Sequence, residues 1–222
     1  MRKGPRVHGK PFFRLHSGRR LDIMSEYSVI IRCEMARPKS EEKRRHLLEA
    51  AAKAVGERGI GAPTALIAKM AGVAEGSLFR YFPTKEALLN EMYLYVLGKG
   101  WEAVSEAYDP SRPMVERAEA IWNAHIDWAL AHPVWSRAVI QLAVTDILTE
   151  ETRAADMARF PDAGMMEMIV SSEILEGQTP HYADALFTSI ASTTIEFAMR
   201  EPARVETYKT SGFKAIRRLF LD

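Results

Sequence analysis

Between Thr64 and Lys85 the sequence TALIAKMAGVAEGSLFRYFPTK concentrates hydroxyls (Thr64, Ser77, Tyr81), a guanidinium (Arg80), an ammonium (Lys85) and an exposed-type aromatic (Phe79) around Gly76. Hydroxyls and cations in this density donate to phosphate oxygens, an arginine can also reach base edges, and a glycine lets backbone approach a ligand surface. No acid–base pair accompanies them. Elsewhere there is no H-E-x-x-H, G-x-S-x-G or G-x-x-x-x-G-K, and G-E-R-G-I-G at 56–61 reads as a helix end. His125 and His132, seven apart with Pro133 following, lack a third ligand and read as ordinary histidines. The chemistry legible here is binding. No catalytic residue, metal site or cofactor is expected, and the chain is read as no enzyme.

Two short helices at a fixed angle must position these groups. Ala65, Ile67, Ala68 and Ala71 give the first an apolar side, and Gly72 suits the left-handed end of that helix, with Val73 as its apolar anchor. Leu78 and Phe82, four apart, turn the second helix toward a core, leaving Gly76, Ser77, Phe79, Arg80 and Tyr81 outward. This is a helix-turn-helix pattern. Upstream, Ser40 followed by Glu41 and Glu42 predicts a helix start, Gly59 its stop, and Leu47, Leu48, Ala51, Ala54 and Val55 its buried stripe. Lys43, Arg44 and Arg45 lie near its entry. Downstream, Thr84 predicts the cap of a long helix burying Leu88, Leu89, Met92, Tyr93, Val96 and Leu97, with Gly98 and Gly100 allowing a bend.

The run G-V-A-x-G-S-L-F-x-Y-F-x-x-K after I-A-x-x-A-G, within Lys43 to Met92, resembles the DNA-binding domain of the TetR family of bacterial repressors. The resemblance implies DNA contacts by Thr64, Gly76, Ser77, Phe79, Arg80, Tyr81 and Lys85. It further implies an inverted-repeat operator, a homodimer and a small hydrophobic, aromatic or cationic effector. WNAHIDWALAHP, QLAVTDILTEET and FAMREPAR are similar to multidrug-sensing members, which implies control of resistance or efflux genes. Two positions depart from the family pattern. Pro63 stands where threonine is common, leaving Thr64 as the expected cap of the second helix, and Ala74 replaces a serine cap worth about 1 kcal/mol, partly offset by Glu75.

Charge is uneven along the 222 residues. Residues 1–34 carry eight Lys/Arg against three Asp/Glu, residues 35–98 ten against seven, and residues 99–222 twelve against nineteen. A basic front and an acidic back fit a nucleic-acid face joined to a different kind of binding domain. The single cysteine, Cys33, excludes an internal disulfide and any cysteine-based zinc site, and its scarcity fits a reducing, cytoplasmic setting. No apolar run approaches the roughly 18 residues of a membrane span, so no membrane partner is expected. Residues 1–34 lack a packing period and read as a disordered extension or leader, with Met35 as a natural beginning.

The expected architecture is all-α: a three-helix helix-turn-helix domain at 35–83 and a helical ligand-binding and dimerisation domain at 84–222. Helices are expected at about 113–131, 133–149, 151–160, 162–176, 180–200 and 202–221, punctuated by Pro110, Pro133, Pro161, Gly177 and Pro202. The last two carry Leu186, Ile190, Thr194, Phe197, Tyr208, Phe213, Ile216, Leu219 and Phe220. That is more apolar circumference than one subunit can hide, which points to a four-helix bundle between two copies. Tyr93, Trp122, Trp128, Trp135 and Phe187 should surround one interior. Of these Tyr93, Trp122 and Phe187, with Asp184 for charge, are the expected ligand-binding residues.

Overall fold

Gly59 and Gly72 adopt φ of 83° and 69°, a region that disfavours side chains, and each closes a helix. They punctuate a computed structural model that describes residues 23–159, 175, 178 and 180–221, with side chains from residue 40 onward except 180 and 181. The described residues form helices and no strand: α1 (Ile23–Arg58), α2 (Thr64–Met70), α3 (Glu75–Tyr81), α4 (Lys85–Ala107), α5 (Met114–Ala131), α6 (Pro133–Ala143), α7 (Glu150–Met157), α8 (Pro180–Arg200) and α9 (Val205–Phe220), with a 3₁₀ turn at Pro202–Arg204 before α9. The all-α expectation holds. The helix expected at 162–176 lies outside the described residues, apart from the buried Leu175.

The chain divides into two compact units, residues 1–41 and 42–222. Of the first, the backbone from Ile23 is helical, so Ser40 is no N-cap and residues 23–34 are not the irregular extension expected. The stretch IMSEYSVIIRCEMA contains neither glycine nor proline, while Pro38, behind it in the same helix, lacks the amide hydrogen that a helix interior uses. Residues 1–22 lie outside the described residues.

In the second unit, residues 42–58 of α1 bury Leu47, Leu48, Ala51, Ala54 and Val55 in one core with Ile67, Ala68, Leu78, Phe82, Leu88, Leu89 and Met92. That core continues into α6 through Ala138 and Leu142. Gly56 of α1 lies so close to α6 that an added Cβ would stand 2.0 Å from the Val134 carbonyl oxygen. A second core joins Val104 of α4 to Ile121, Trp122 and Ile126 of α5, Ala191 and Ile195 of α8, and Phe213, Ile216 and Phe220 of α9.

Three expectations about helices need correcting. Helix α6 stops at Ala143, not 149, where the Thr145 amide and hydroxyl both donate to the Leu142 carbonyl (3.0 and 2.8 Å). Buried Asn90 then holds the following loop, donating to the Ile147 carbonyl (2.8 Å) and accepting from the Thr149 amide (3.0 Å). Gly98 and Gly100 do not interrupt α4, which runs unbroken to Ala107. Each makes room, Gly98 for the Arg159 guanidinium and Gly100 for the Trp128 ring. Finally, Phe213, Ile216 and Phe220 are buried against α5 and α8 within this chain, so they do not supply the surplus apolar face assigned to them. Phe197 and Tyr182, 41% and 49% exposed, are the large apolar side chains of α8 that remain outward.

Candidate nucleic-acid interface and effector cavity

Helix α2 ends in a Schellman turn. The Val73 amide donates to the Ala68 carbonyl (3.0 Å) and the Gly72 amide to Lys69 (3.2 Å), satisfying carbonyls the helix leaves open. A Cβ on Gly72 would meet nothing within 4 Å, so the glycine answers to its φ and not to space. Ala74 then enters α3 with no side-chain cap, as expected, and Glu75 stands in the first turn.

Leu78 and Phe82 fix α3 from beneath, both fully buried. Above them Gly76, Phe79 and Arg80 are exposed and Ser77 is half-buried. Phe79 is 44% exposed, which on a helix of seven residues presents an apolar surface at the centre of the outward face. Tyr81 departs from expectation in part: it is half-buried and packs on the core. Thr64 departs further. It is the first residue of α2 and no cap, since Pro63 precedes it in extended conformation, and its hydroxyl donates to the Glu75 carboxylate at 2.6 Å. Ala65, read as apolar packing, faces solvent.

The Thr84 hydroxyl accepts from the Ala87 amide (3.0 Å) and caps α4, leaving half-buried Lys85 in the first turn. Among the α1 cations, Arg44 pairs with Glu91 and lies 5.3 Å over the Phe82 ring, while Arg45 pairs with Glu49 at 2.9 Å. Those two arginines therefore brace the domain.

Farther along α4, a cavity of about 160 Å³ opens among α4 to α9, walled mostly by apolar side chains. Of the residues expected to bind a ligand, Tyr93, Asp184 and Phe187 line it. Trp122 does not. It is fully buried, its indole N–H donates to the Lys209 carbonyl (3.0 Å), and Gly212 of α9 abuts its ring. On α5 the stripe Ala118, Ile121, His125, Trp128 and Ala129 faces the cavity at helical spacing, and residue 122 belongs to the neighbouring stripe that packs on α9. Phe187 meets Trp122 edge-on at 5.9 Å, so Trp122 supports a cavity ring from behind.

Among the lining residues outside the expected ligand set are Trp101, His125, Trp128 and Asp156. The α5 stripe is a signal that would have found His125 and Trp128. Asp156 had none, because α7 is short and mostly polar and its packing on α4 turns this carboxylate inward. Burial, then the Asp184 carboxylate, push Asp156 up to about 6, against the Trp101 indole N–H that reaches it at 3.5 Å and the nearby Arg159 cation. Burial pushes the His125 imidazole down to about 4, so it is neutral at neutral pH. Burial, then Asp156 and Asp184, raise the Tyr93 phenol and keep it protonated. Two carboxylates and a phenol thus act on one another electrostatically across this cavity.

From the cavity wall an aromatic series leads to α1. Trp128 stacks on His132 (4.8 Å), His132 on Trp135 (5.9 Å), and Trp135 meets Tyr95 edge-on (6.1 Å), whose hydroxyl donates to Glu49 at 2.8 Å.

Residues 47–92 match the sequence family described as bacterial regulatory proteins, tetR family. An uncharacterised HTH-type transcriptional regulator of Bacillus subtilis (strain 168), YhgD, is 31% identical over 94 residues, covering 42% of this chain and 49% of that protein. The match therefore spans about half the length of that relative. Among solved structures, a tetR-family transcription regulator from Shewanella sp. PV-4 aligns with a TM-score of 0.66 at 22% identity, covering 78% of this chain and 95% of that one. The TetR-like regulator LfrR from Mycobacterium smegmatis, in complex with proflavine, aligns at 0.57 and 18% identity over 82% and 98%. At such identities these structures speak to the fold. No described helix is long and apolar enough to cross a membrane.

Proposed function

We propose that this chain, which belongs to the tetR family of bacterial regulatory proteins, is a ligand-responsive transcriptional repressor. It binds an inverted-repeat operator as a homodimer and leaves it when a small hydrophobic effector fills the cavity. The observation that carries this reading is α4, a single helix with Lys85 in the first turn after the recognition helix and Tyr93, Leu97 and Trp101 on the cavity wall. A ligand that displaces α4 displaces the DNA-binding front with it.

In this reading residues 35–83 form the DNA-binding domain and 84–222 the effector and dimerisation domain. Gly76, Ser77, Phe79 and Arg80 meet the major groove, the exposed Phe79 ring suiting a thymine methyl. Thr64, Tyr81 and Lys85 meet phosphates. Pairing of α8 and α9 with a second copy covers Phe197 and Tyr182, and the exposed Ala185, Ser189 and Thr193 between them let helices approach closely. The complexed LfrR makes a flat aromatic effector a natural comparison, and resistance or efflux genes are the proposed targets.

The test is a binding titration on fragments selected from the chain's own genomic neighbourhood. An inverted repeat should be preferred and affinity should fall steeply with salt. Lys85→Ala should weaken all sequences alike and lower the salt slope by about one, whereas Arg80→Ala should change sequence preference. Equal affinity for random and selected DNA would end the repressor reading.

A further inference from the structure

A groove separate from the central cavity lies between the helix-turn-helix front and α6. Its volume is about 520 Å³, within the range of small-molecule sites. His46, Glu49, Ala50 and Lys53 recur at helical spacing along α1 and form one wall, with Met70 and Ala71 at the end of α2 as the second. Val134 and Trp135 of α6 form the third. Val134 also packs against Gly56 of α1, so the groove borders a close approach of these two helices. We propose that this groove is a second small-molecule site, built for a flat aromatic carboxylate.

Ala50 and Ala71 are small where a floor is needed, and Trp135 and Met70 offer a ring and a polarisable thioether to a flat apolar body. The charge pattern selects the sign of the ligand. Glu49 is the acidic side chain among the described lining residues, and its Oε1 already accepts from the Arg45 guanidinium (2.9 Å) and the Tyr95 hydroxyl (2.8 Å). An entering cation would compete with both. Lys53 is exposed and reaches Glu57 only at 4.0 Å, so its ammonium can turn to a carboxylate at little loss. His46 accepts at Nε2 from Arg45 (3.3 Å), which places the ring hydrogen on Nδ1 as a further donor. Lys53 follows His46 by two helical turns, about 10 Å along α1, with Ala50 midway. A bicyclic aromatic acid spans that length with its carboxylate at the lysine end.

Helix α6 divides this site from the central cavity, giving Ser136, Val139 and Ile140 to the cavity and Trp135 to the groove. An occupant therefore touches α1 and α2 of the front and a helix of the cavity wall without entering the cavity. The inference stands whether or not the central cavity takes an effector.

The chain has four tryptophans, so proton–nitrogen correlation NMR of the full chain resolves each indole N–H, and Trp135→Phe identifies the one that matters. Titration with naphthalene-2-carboxylate should move the Trp135 signal to saturation at millimolar concentration or below, and the Trp101 and Trp128 signals of the central cavity less. Naphthalene-2-carboxamide should bind about threefold weaker, and 2-naphthylmethylammonium weaker still. Lys53→Gln, a change at an exposed side chain, should erase the advantage of the carboxylate over the carboxamide and leave carboxamide binding as it was. Larger shifts at Trp101 or Trp128 than at Trp135 would put the probe in the central cavity and overturn the proposal, as would no shift at millimolar carboxylate. Equal affinities for carboxylate and carboxamide, or a carboxylate advantage that survives Lys53→Gln, would overturn it too.

Discussion

Replacing Gly56 by alanine tests how rigidly the DNA-binding front is set against α6. An alanine Cβ there would lie 2.0 Å from the Val134 carbonyl oxygen and 2.8 Å from the Val134 Cγ1. Ordinary contact begins at 3.4 Å, so one helix must retreat by more than 1 Å, and because the obstacle is backbone no rotamer change relieves it. Two effects oppose each other. Alanine in place of helical glycine gains about 1 kcal/mol, while overpacking costs about 1–3 kcal/mol, at the upper end when backbone must move. The steric term should win, for a net loss of about 1–2 kcal/mol and a fall in Tm of about 2–4 °C per kcal/mol. Gly61→Ala is the control, since its Cβ would meet nothing within 4 Å. Thermal unfolding followed by circular dichroism reads both. A Gly56→Ala protein as stable as the parent, or more so, would refute the close packing of α1 on α6.

Three further outcomes follow from single residues. Moving Asp156 from the ordinary 3.8 to about 6 corresponds to about 3 kcal/mol. A carboxyl with a raised folded pKa stabilises the fold below its unfolded value, and that stability is lost as pH rises through about 6. Asp156→Asn should thus gain Tm over the parent at neutral pH and none near pH 4, and a pH-independent difference counts against it. Asn90→Ala strips three hydrogen bonds, to Glu86, Ile147 and Thr149, and should cost about 2–3 kcal/mol in denaturant titration. Thr84→Ala removes the α4 cap and should cost about 1 kcal/mol, with weaker DNA binding if Lys85 loses its position.

Much of the front domain is legible in residue types because local rules govern it. Gly59 and Gly72 end helices for reasons held within their own turns, and Leu78 and Phe82 at helical spacing admit one buried face. Thr84 caps because it stands in extended conformation just before α4, whereas Thr64 falls one place inside α2, behind Pro63, and its hydroxyl goes to Glu75 eleven residues away. The cavity is less legible. Trp122 and Trp128 are the same residue type on one helix, and only the direction of α9 makes the first a core ring and the second a cavity wall. Asp156 lies on a short polar helix whose burial is decided by α4. The apolar residues of α9 read as an interface because the sequence cannot show that α5 and α8 already cover them.

The bond between Thr64 and Glu75 works as a clasp across the two arms of the helix-turn-helix while DNA is away. A hydroxyl hydrogen serves one acceptor at a time, so a phosphate reaching Thr64 must take it from the carboxylate. One oxygen acceptor is exchanged for another, and the contact adds little net attraction. What the exchange does release is the carboxylate, which then faces an incoming polyanion without its donor. For the operator-binding repressor proposed above, the front would therefore carry a built-in brake on adhesion to arbitrary nucleic acid, which an operator overcomes through contacts that α3 makes to the bases.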